Sequence, residues 1–325
     1  MLTKLPEPIA RELTVPVINA PMFLVSGPEL VMESCKAGII GSFPSLNART
    51  PEILEEWMVQ IMEALAEAKE EDPQRKVAPW AVNLIVHRSN KRYETDLELV
   101  KKYQPPIVIT SLGNPSAVVE IVHDYGGLVF SDVANVPHAK KAATTGVDGL
   151  ILVSSGAGGH AGTINNFAFA GAVKEFWDGI TILAGCISSG NDVLATQALG
   201  MDMGYIGTKF ISAKESMASD EYKHMLVQST LEDLIYTDAF TGVHANYLKE
   251  SIKRAGIDME GLTSKGSVDL SKLNQTDSKA WKDIWSAGQG VDQIQNVQPI
   301  AEIVEELTRE YEEAKARVAG AISVK

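Results

Sequence analysis

Short apolar runs separated by amphipathic stretches fill the first two thirds of the chain. Runs at 16–20 (PVINA), 39–43, 80–86 (WAVNLIV), 107–110 (IVIT), 128–130 (LVF), 150–153 (LILV), 181–184 (TILA) and 203–206 (MGYI) predict eight strands. Between them, 28–37, 51–70, 95–103, 115–124, 137–145, 168–176 and 190–199 carry helical spacing, and Gly38, Gly126, Gly146 and Gly200 supply stops. Strands that alternate with helices predict parallel pairing, because each return to the same sheet edge needs a crossover helix. Asn19, Asn83, the glycine loop around His160, Gly185 and Gly207 all fall at the C-terminal ends of predicted strands. An open doubly wound sheet would use only the strand ends near its switch point, so five converging strands predict closure into a (β/α)8 TIM barrel.

After residue 212 the period changes. Residues 213–276 hold helical pieces and polar segments with no further β-α repeat, which predicts a smaller, mostly helical inserted domain lying as a lid over the barrel mouth. The barrel then comprises 1–212 and 277–325, closed by a charged amphipathic helix over 297–318. In the segment 281–290 (WKDIWSAGQG), Ser286, Ala287, Gly288 and Gly290 beside Trp285 suit a loop lying against a ligand. Tyr236, Phe240 and Tyr247 are expected to form the insertion's own small core.

Composition narrows the function classes. The formal net charge of −13 argues against general binding of nucleic acid or of an anionic membrane. Two cysteines, Cys35 and Cys186, offer no disulfide framework, and no metal-ligand spacing repeats, so no metal is expected and a reducing compartment is the natural home. The N-terminal stretch lacks the apolar region of a signal peptide, and no run approaches the roughly 18 apolar residues of a membrane span. The expectation is a soluble cytoplasmic protein.

The chemistry concentrates in GLILVSSGAGGHAG, from Gly149 to Gly162. A strand gives way to a loop almost bare of side chains, in which backbone can approach a flat ligand closely and His160 is the lone titratable group. At the next two strand ends, Gly185 with Cys186 and Gly207 with Thr208 suit a phosphate, aided by the positive dipole end of the helix starting near Gly190. Lys209, directly after Thr208, is expected to point away. A phosphate there and a flat ring reaching towards His160 describe flavin mononucleotide, FMN. His87, just past the third strand, is the one other histidine expected near substrate; His123, His138, His224 and His244 are assigned to surface helices or loops, and the methionines to core filling.

These motifs carry a resemblance. NAPM at 19–22, VNL at 82–84, GAGGHAG at 156–162, AGC at 184–186, ALGMDMGYIGTKF at 198–210 and IWSAGQG at 284–290 together resemble the flavin-dependent nitronate monooxygenase family, the former 2-nitropropane dioxygenases. That family includes related NADH:quinone reductases and enoyl-ACP reductases. The resemblance implies that Ala20, Pro21 and Met22 line the flavin ring and that Asn83 hydrogen-bonds its polar edge. Gly158 and Gly159 would approach the flavin, Gly185, Cys186, Gly207 and Thr208 would hold its phosphate, and His160 and Ser286 would be the active-site histidine and serine. Cys186 departs from a common Gly-Gly, harmless if only its N–H is used. Ser131-Asp132 stands where relatives often place a basic or amide side chain, and an acidic Asp132 is expected not to face the ring.

The implied reaction is oxidation of alkyl nitronates by O2 to carbonyl compounds and nitrite, after one electron passes to the flavin. His160 would hold the nitro oxygens or, for neutral nitroalkanes, act as general base. The alternative is NAD(P)H-dependent reduction of quinones or enoyl thioesters on the same flavin. The partners implied are a small-molecule substrate and O2, with room for a homodimer.

Overall fold

The chain is seen in a computed structural model that describes residues 4–240, 242–264 and 283–323. Eight parallel strands close into a barrel in chain order: β1 (Val17–Asn19), β2 (Ile40–Pro44), β3 (Trp80–Ile85), β4 (Ile107–Ser111), β5 (Leu128–Val133), β6 (Gly149–Val153), β8 (Ile180–Ala184) and β9 (Met203–Ile206). The register closes through Val17–Gly204, Ile18–Tyr205 and Asn19–Ile206. Each strand predicted from the sequence is present. β5 runs three residues further than its apolar stretch, and that extension matters for the site.

Alternation along the strands sorts side chains into two cores. Val17, Phe43, Val82, Leu84, Val108, Val129, Leu150, Leu152 and Leu183 face outward and bury against the helices. Ile18, Ile40, Ala81, Ile109, Phe130, Ile151, Ile182 and Met203 face inward and fill the barrel, so it is a packed core with no pore. Leu5, Ile9, Ala10 and Leu13 join this inner cluster and plug the N-terminal end. The crossover helices begin where capping residues stand: Thr50 accepts from Ile53 N–H ahead of Pro51, Asn135 from His138 N–H, and Ser189 forms a capping box with Asp192. The C-terminal helix Ile300–Ser323 packs against helices Gly190–Ala198 and Pro28–Lys36 and completes the outer ring.

The segment after β9 carries helices Asp220–Gln228 and Lys249–Arg254, as expected, but it is not helical throughout. β10 (Leu234–Thr237) and β11 (Ala245–Leu248) form an antiparallel pair, and β11 also pairs with β7 (Gly159–His160) inside the glycine loop. Polar and glycine-rich flanks hide these four-residue strands from a periodicity reading, and their third partner comes from the barrel itself. Trp281 and the 276/277 boundary lie outside the described residues. Among those described, no helix is long and apolar enough to cross a membrane and no cluster of side chains has metal-binding geometry.

Candidate active site

The C-terminal mouth of the barrel opens into a cavity of about 1140 Å³. Every residue to which the resemblance gave a role borders it: Ala20, Pro21 and Met22 after β1, Asn83 on β3, Gly158, Gly159 and His160 after β6, Gly185 and Cys186 after β8, Gly207 and Thr208 after β9, and Ser286. The Ala20–Met22 turn is fixed from below. Asn47 accepts from Leu24 N–H at 2.9 Å and donates to the carbonyls of Met22 at 2.9 Å and Ser26 at 2.7 Å, while Met22 N–H donates to Ser26 Oγ at 2.9 Å.

Three glycine-bearing segments interlock at the centre. Gly288 N–H donates to Thr208 Oγ1 at 2.8 Å, and Gln289 N–H to the Gly156 carbonyl at 2.8 Å. A Cβ on Gly158 would stand 2.7 Å from Gly288 N and 3.0 Å from Thr208 Oγ1; one on Gly288 would stand 2.9 Å from the Gly156 carbonyl oxygen. Glycine is needed at both because backbone meets backbone there. The far side of the loop is stitched by Asn246 Nδ2 to the Ala157 carbonyl at 2.8 Å and by Ala161 N–H to the His244 carbonyl at 3.0 Å. Gly185 and Cys186 both turn through the left-handed region, with φ of +111° and +57°.

Burial governs the electrostatics. Desolvation lowers His160 to about 4, so its imidazole is neutral at neutral pH. At neutral pH it serves as a hydrogen-bonding group or base rather than as a cation. Above it, Tyr236 donates to the carbonyls of Ala161 at 3.3 Å and Gly162 at 3.4 Å and packs on His244, ring centroids 5.0 Å apart. Thus Tyr236 covers the loop, whereas Tyr247 and Phe240 build the insertion's own core, with ring centroids 4.9 Å apart. On the other flank Tyr222 stacks on Trp285 at 4.8 Å and donates to the Ser286 carbonyl at 2.5 Å; burial pushes its phenol up to about 12.

Four of the six histidines (His87, His138, His160 and His244) and Lys141 border the cavity, against a single carboxylate, Asp132, among the described residues. His138 and His244 are exposed on a helix and in a loop, as assigned, and they also border the cavity, because the helix after β5 and the loop before β11 bend over the mouth. Asp132, expected not to face the ring, borders the cavity. With Phe130 inside the barrel, the two-residue period puts Asp132 inside at the mouth, and the same period brings in Ser111 beyond Ile109 and Tyr205 beyond Met203. That period could have been read from the sequence had β5 been extended past Phe130.

The helix dipole proposed for the phosphate end is otherwise engaged. Ser188 and Ser189 N–H donate to Asp192 Oδ2 at 3.0 and 2.9 Å, and Gly190 N–H to Glu310 Oε2 at 2.8 Å, so two carboxylates close that N-terminus. Lys209 does turn away, to Glu306 at 3.3 Å.

The nitronate monooxygenase family model matches residues 9–310. The chain belongs to that family. It is 26% identical over 343 residues to the nitronate monooxygenase of Paraburkholderia phytofirmans, covering 92% of this chain and 93% of that one. It is 24% identical over 277 residues, 84% of this chain and 74% of the relative, to the (3aS,4S,5R,7aS)-5-hydroxy-7a-methyl-1-oxo-octahydro-1H-indene-4-carboxyl-CoA dehydrogenase of Rhodococcus jostii. Among solved structures, nitroalkane oxidase from Streptomyces ansochromogenes superposes with a TM-score of 0.80 at 21% identity over 95% of this chain and 99% of its own, a likeness of fold. The protein is an oxidoreductase of a flavin-dependent family acting on a small molecule.

Proposed function

We propose that the protein oxidises alkyl nitronates with O2 to carbonyl compounds and nitrite, using FMN held across the barrel mouth. The observation that carries this reading is the neutral His160, set in a glycine loop over a cavity whose border holds one carboxylate among the described residues, in a chain of net charge −13. Such a border receives an anion without the repulsion the rest of the surface would impose. The residues fit a flavin: the Gly158 and Gly288 backbones leave no room for side chains beside Thr208, and buried polar atoms of Asp132 and Tyr205 face the mouth. The cavity exceeds the roughly 300–1,000 Å³ usual for one small ligand, so cofactor and substrate can share it.

In this reading Gly185, Cys186, Gly207 and Thr208 hold the phosphate through backbone and hydroxyl groups, and Ala20, Pro21 and Met22 line the ring. When bound, FMN supplies the one-electron acceptor. The chain's own part is positioning. His160 donates to a nitro oxygen of the anion or, with a neutral nitroalkane, takes the α-proton onto its unprotonated ring nitrogen. Ser286 borders the same space and orients the substrate. The cover from Tyr236 and Trp285 limits water, which strengthens each of these polar contacts.

A second reading, NAD(P)H-dependent reduction of an enoyl thioester, is favoured by the CoA-thioester dehydrogenase among the relatives. Anaerobic mixing separates the two. Loss of the oxidised-flavin absorption on adding an alkyl nitronate, nitrite release in air and no response to NADH support the monooxygenase. Rapid bleaching by NADH with an inert nitronate refutes it. Mass analysis of the cofactor released by heat distinguishes FMN from FAD.

A further inference from the structure

Inward-facing side chains near the C-terminal ends of β3, β4 and β5 form a hydrogen-bonded row at the mouth. Asn83 Nδ2 donates to the Ile109 carbonyl at 3.2 Å and to Ser111 Oγ at 2.7 Å, and Ser111 Oγ donates to Asp132 Oδ2 at 2.6 Å. Both N–H groups of Asn83 are thereby used, which leaves its oxygen to face a ligand. The row ends at Asp132 Oδ1, which is shielded from solvent and has no hydrogen-bond partner among the described residues; Tyr205 Oη on β9 is in the same state. An ionised carboxylate with a bare buried oxygen is costly, and a protonated one can donate outward instead. In the closed strand order β3 and β4 lie opposite β8 and β9. A ligand anchored by phosphate at Gly185 and Gly207 and spanning the mouth therefore ends against Asn83, Ser111 and Asp132.

We infer that Asp132, held by Ser111 and Asn83, is a carboxylic acid that donates a hydrogen bond to the polar pyrimidine edge of the flavin, so that cofactor affinity depends on one proton on this side chain. The inference rests on the flavin reading above. Desolvation raises Asp132 to about 6 even though the Ser111 hydrogen bond lowers it, and Tyr205 is raised by burial first and by the nearby Asp132 second. β4 and β6, its neighbours in the sheet, bring no titratable group. Helix Ser116–Asp124 packs against β5, and its His123 is turned to Asp148. Among the described residues, the titratable groups sharing the mouth with Asp132 are Tyr205, Tyr222, Tyr236, His160, Cys186, His87, His244 and, on the helix after β5, His138 and Lys141.

The test is FMN fluorescence titration of wild type, Asp132→Asn, Asp132→Ala and Ser111→Ala between about pH 6 and pH 9, with circular dichroism to verify folding. Wild-type Kd is expected to rise by up to tenfold per pH unit above the pKa of Asp132. Asp132→Asn keeps a donor, so its affinity stays near the wild-type acid value and the extra pH dependence disappears. The phosphate of FMN titrates alike in both proteins and cancels in the comparison. Asp132→Ala binds roughly tenfold more weakly at the acid end. Ser111→Ala removes a bond that stabilises the carboxylate, so its transition moves to higher pH. Folded Asp132 variants that match wild type in affinity and pH profile, or an unmoved transition in Ser111→Ala, overturn the inference alone. Wild type that takes up no FMN overturns the flavin reading as well.

Discussion

Replacement of Gly158 by alanine tests whether the site is held by three interlocked backbones. Gly158 has no left-handed φ, so alanine meets no conformational penalty and the effect is steric. The new Cβ would lie 2.7 Å from Gly288 N, 3.0 Å from Ala287 C and 3.0 Å from Thr208 Oγ1. Two of these are main-chain atoms of a buried turn, so relief requires moving the 156–162 loop away from 287–288 and stretching the 2.8 Å bond from Gly288 N–H to Thr208. Overpacking costs about 1–3 kcal/mol and a weakened buried hydrogen bond about 1 kcal/mol more. At about 2 °C per kcal/mol for a chain of this size, Tm falls by about 4–8 °C. Gly207→Ala is the matched control: its Cβ would sit 3.5 Å from Met22 Sδ and 3.8 Å from Ala20 Cβ, ordinary contact distances, so Tm holds. Calorimetry or dye-monitored melting of both apoproteins, followed by FMN titration, reads the result. A Gly158→Ala protein with wild-type Tm and flavin affinity would refute the interlock.

Two further outcomes follow from burial. His160→Asn keeps FMN but loses turnover by about 10²–10⁴-fold, and in wild type kcat/KM stays level from neutral pH down to about 5, because the imidazole protonates near 4; a fall centred near pH 6.5 would contradict the buried environment. The folded value lies below the ordinary one, so His160's contribution to stability is full above about pH 6.5 and is lost as pH falls towards 4; denaturant midpoints of the Asn variant should drop less over that range. Arg92→Ala strips Asp96, whose side chain is fully buried, of bonds at 2.8 and 3.2 Å, and leaves Ser45 Oγ at 2.8 Å as its support. The loss is about 3–5 kcal/mol near pH 8 and smaller near pH 5, where the stranded acid takes up a proton, and an equal loss at both pH values would show that packing carries the pair.

The strand count, the parallel closure and the glycine loop with His160 were legible in the sequence because each rests on local order: β-branched runs, helix stops, and strand ends that a parallel barrel must gather on one face. The resemblance added flavin chemistry and placed the candidate residues on that face. Composition could not reveal that, among the described residues of a chain of net charge −13, one carboxylate alone borders the cavity, since that depends on which strand ends converge.

Tertiary structure decided the rest. Strands β10 and β11 carry too little periodicity to be seen alone, and they become a sheet only by pairing with Gly159–His160 across more than eighty residues of chain. Asp192 and Glu310 close a helix end that the sequence offered to a phosphate, because Glu310 reaches Gly190 from a helix 120 positions away. Asp132 turned from an acid best kept out of the site into the end of a buried polar row once Phe130 fixed the inward phase of β5. Local pattern sets which elements form and which way each strand's side chains alternate. Which of those side chains share one cavity, and so which pKa values shift, depends on contacts between residues far apart in the chain, and only the folded barrel supplies them.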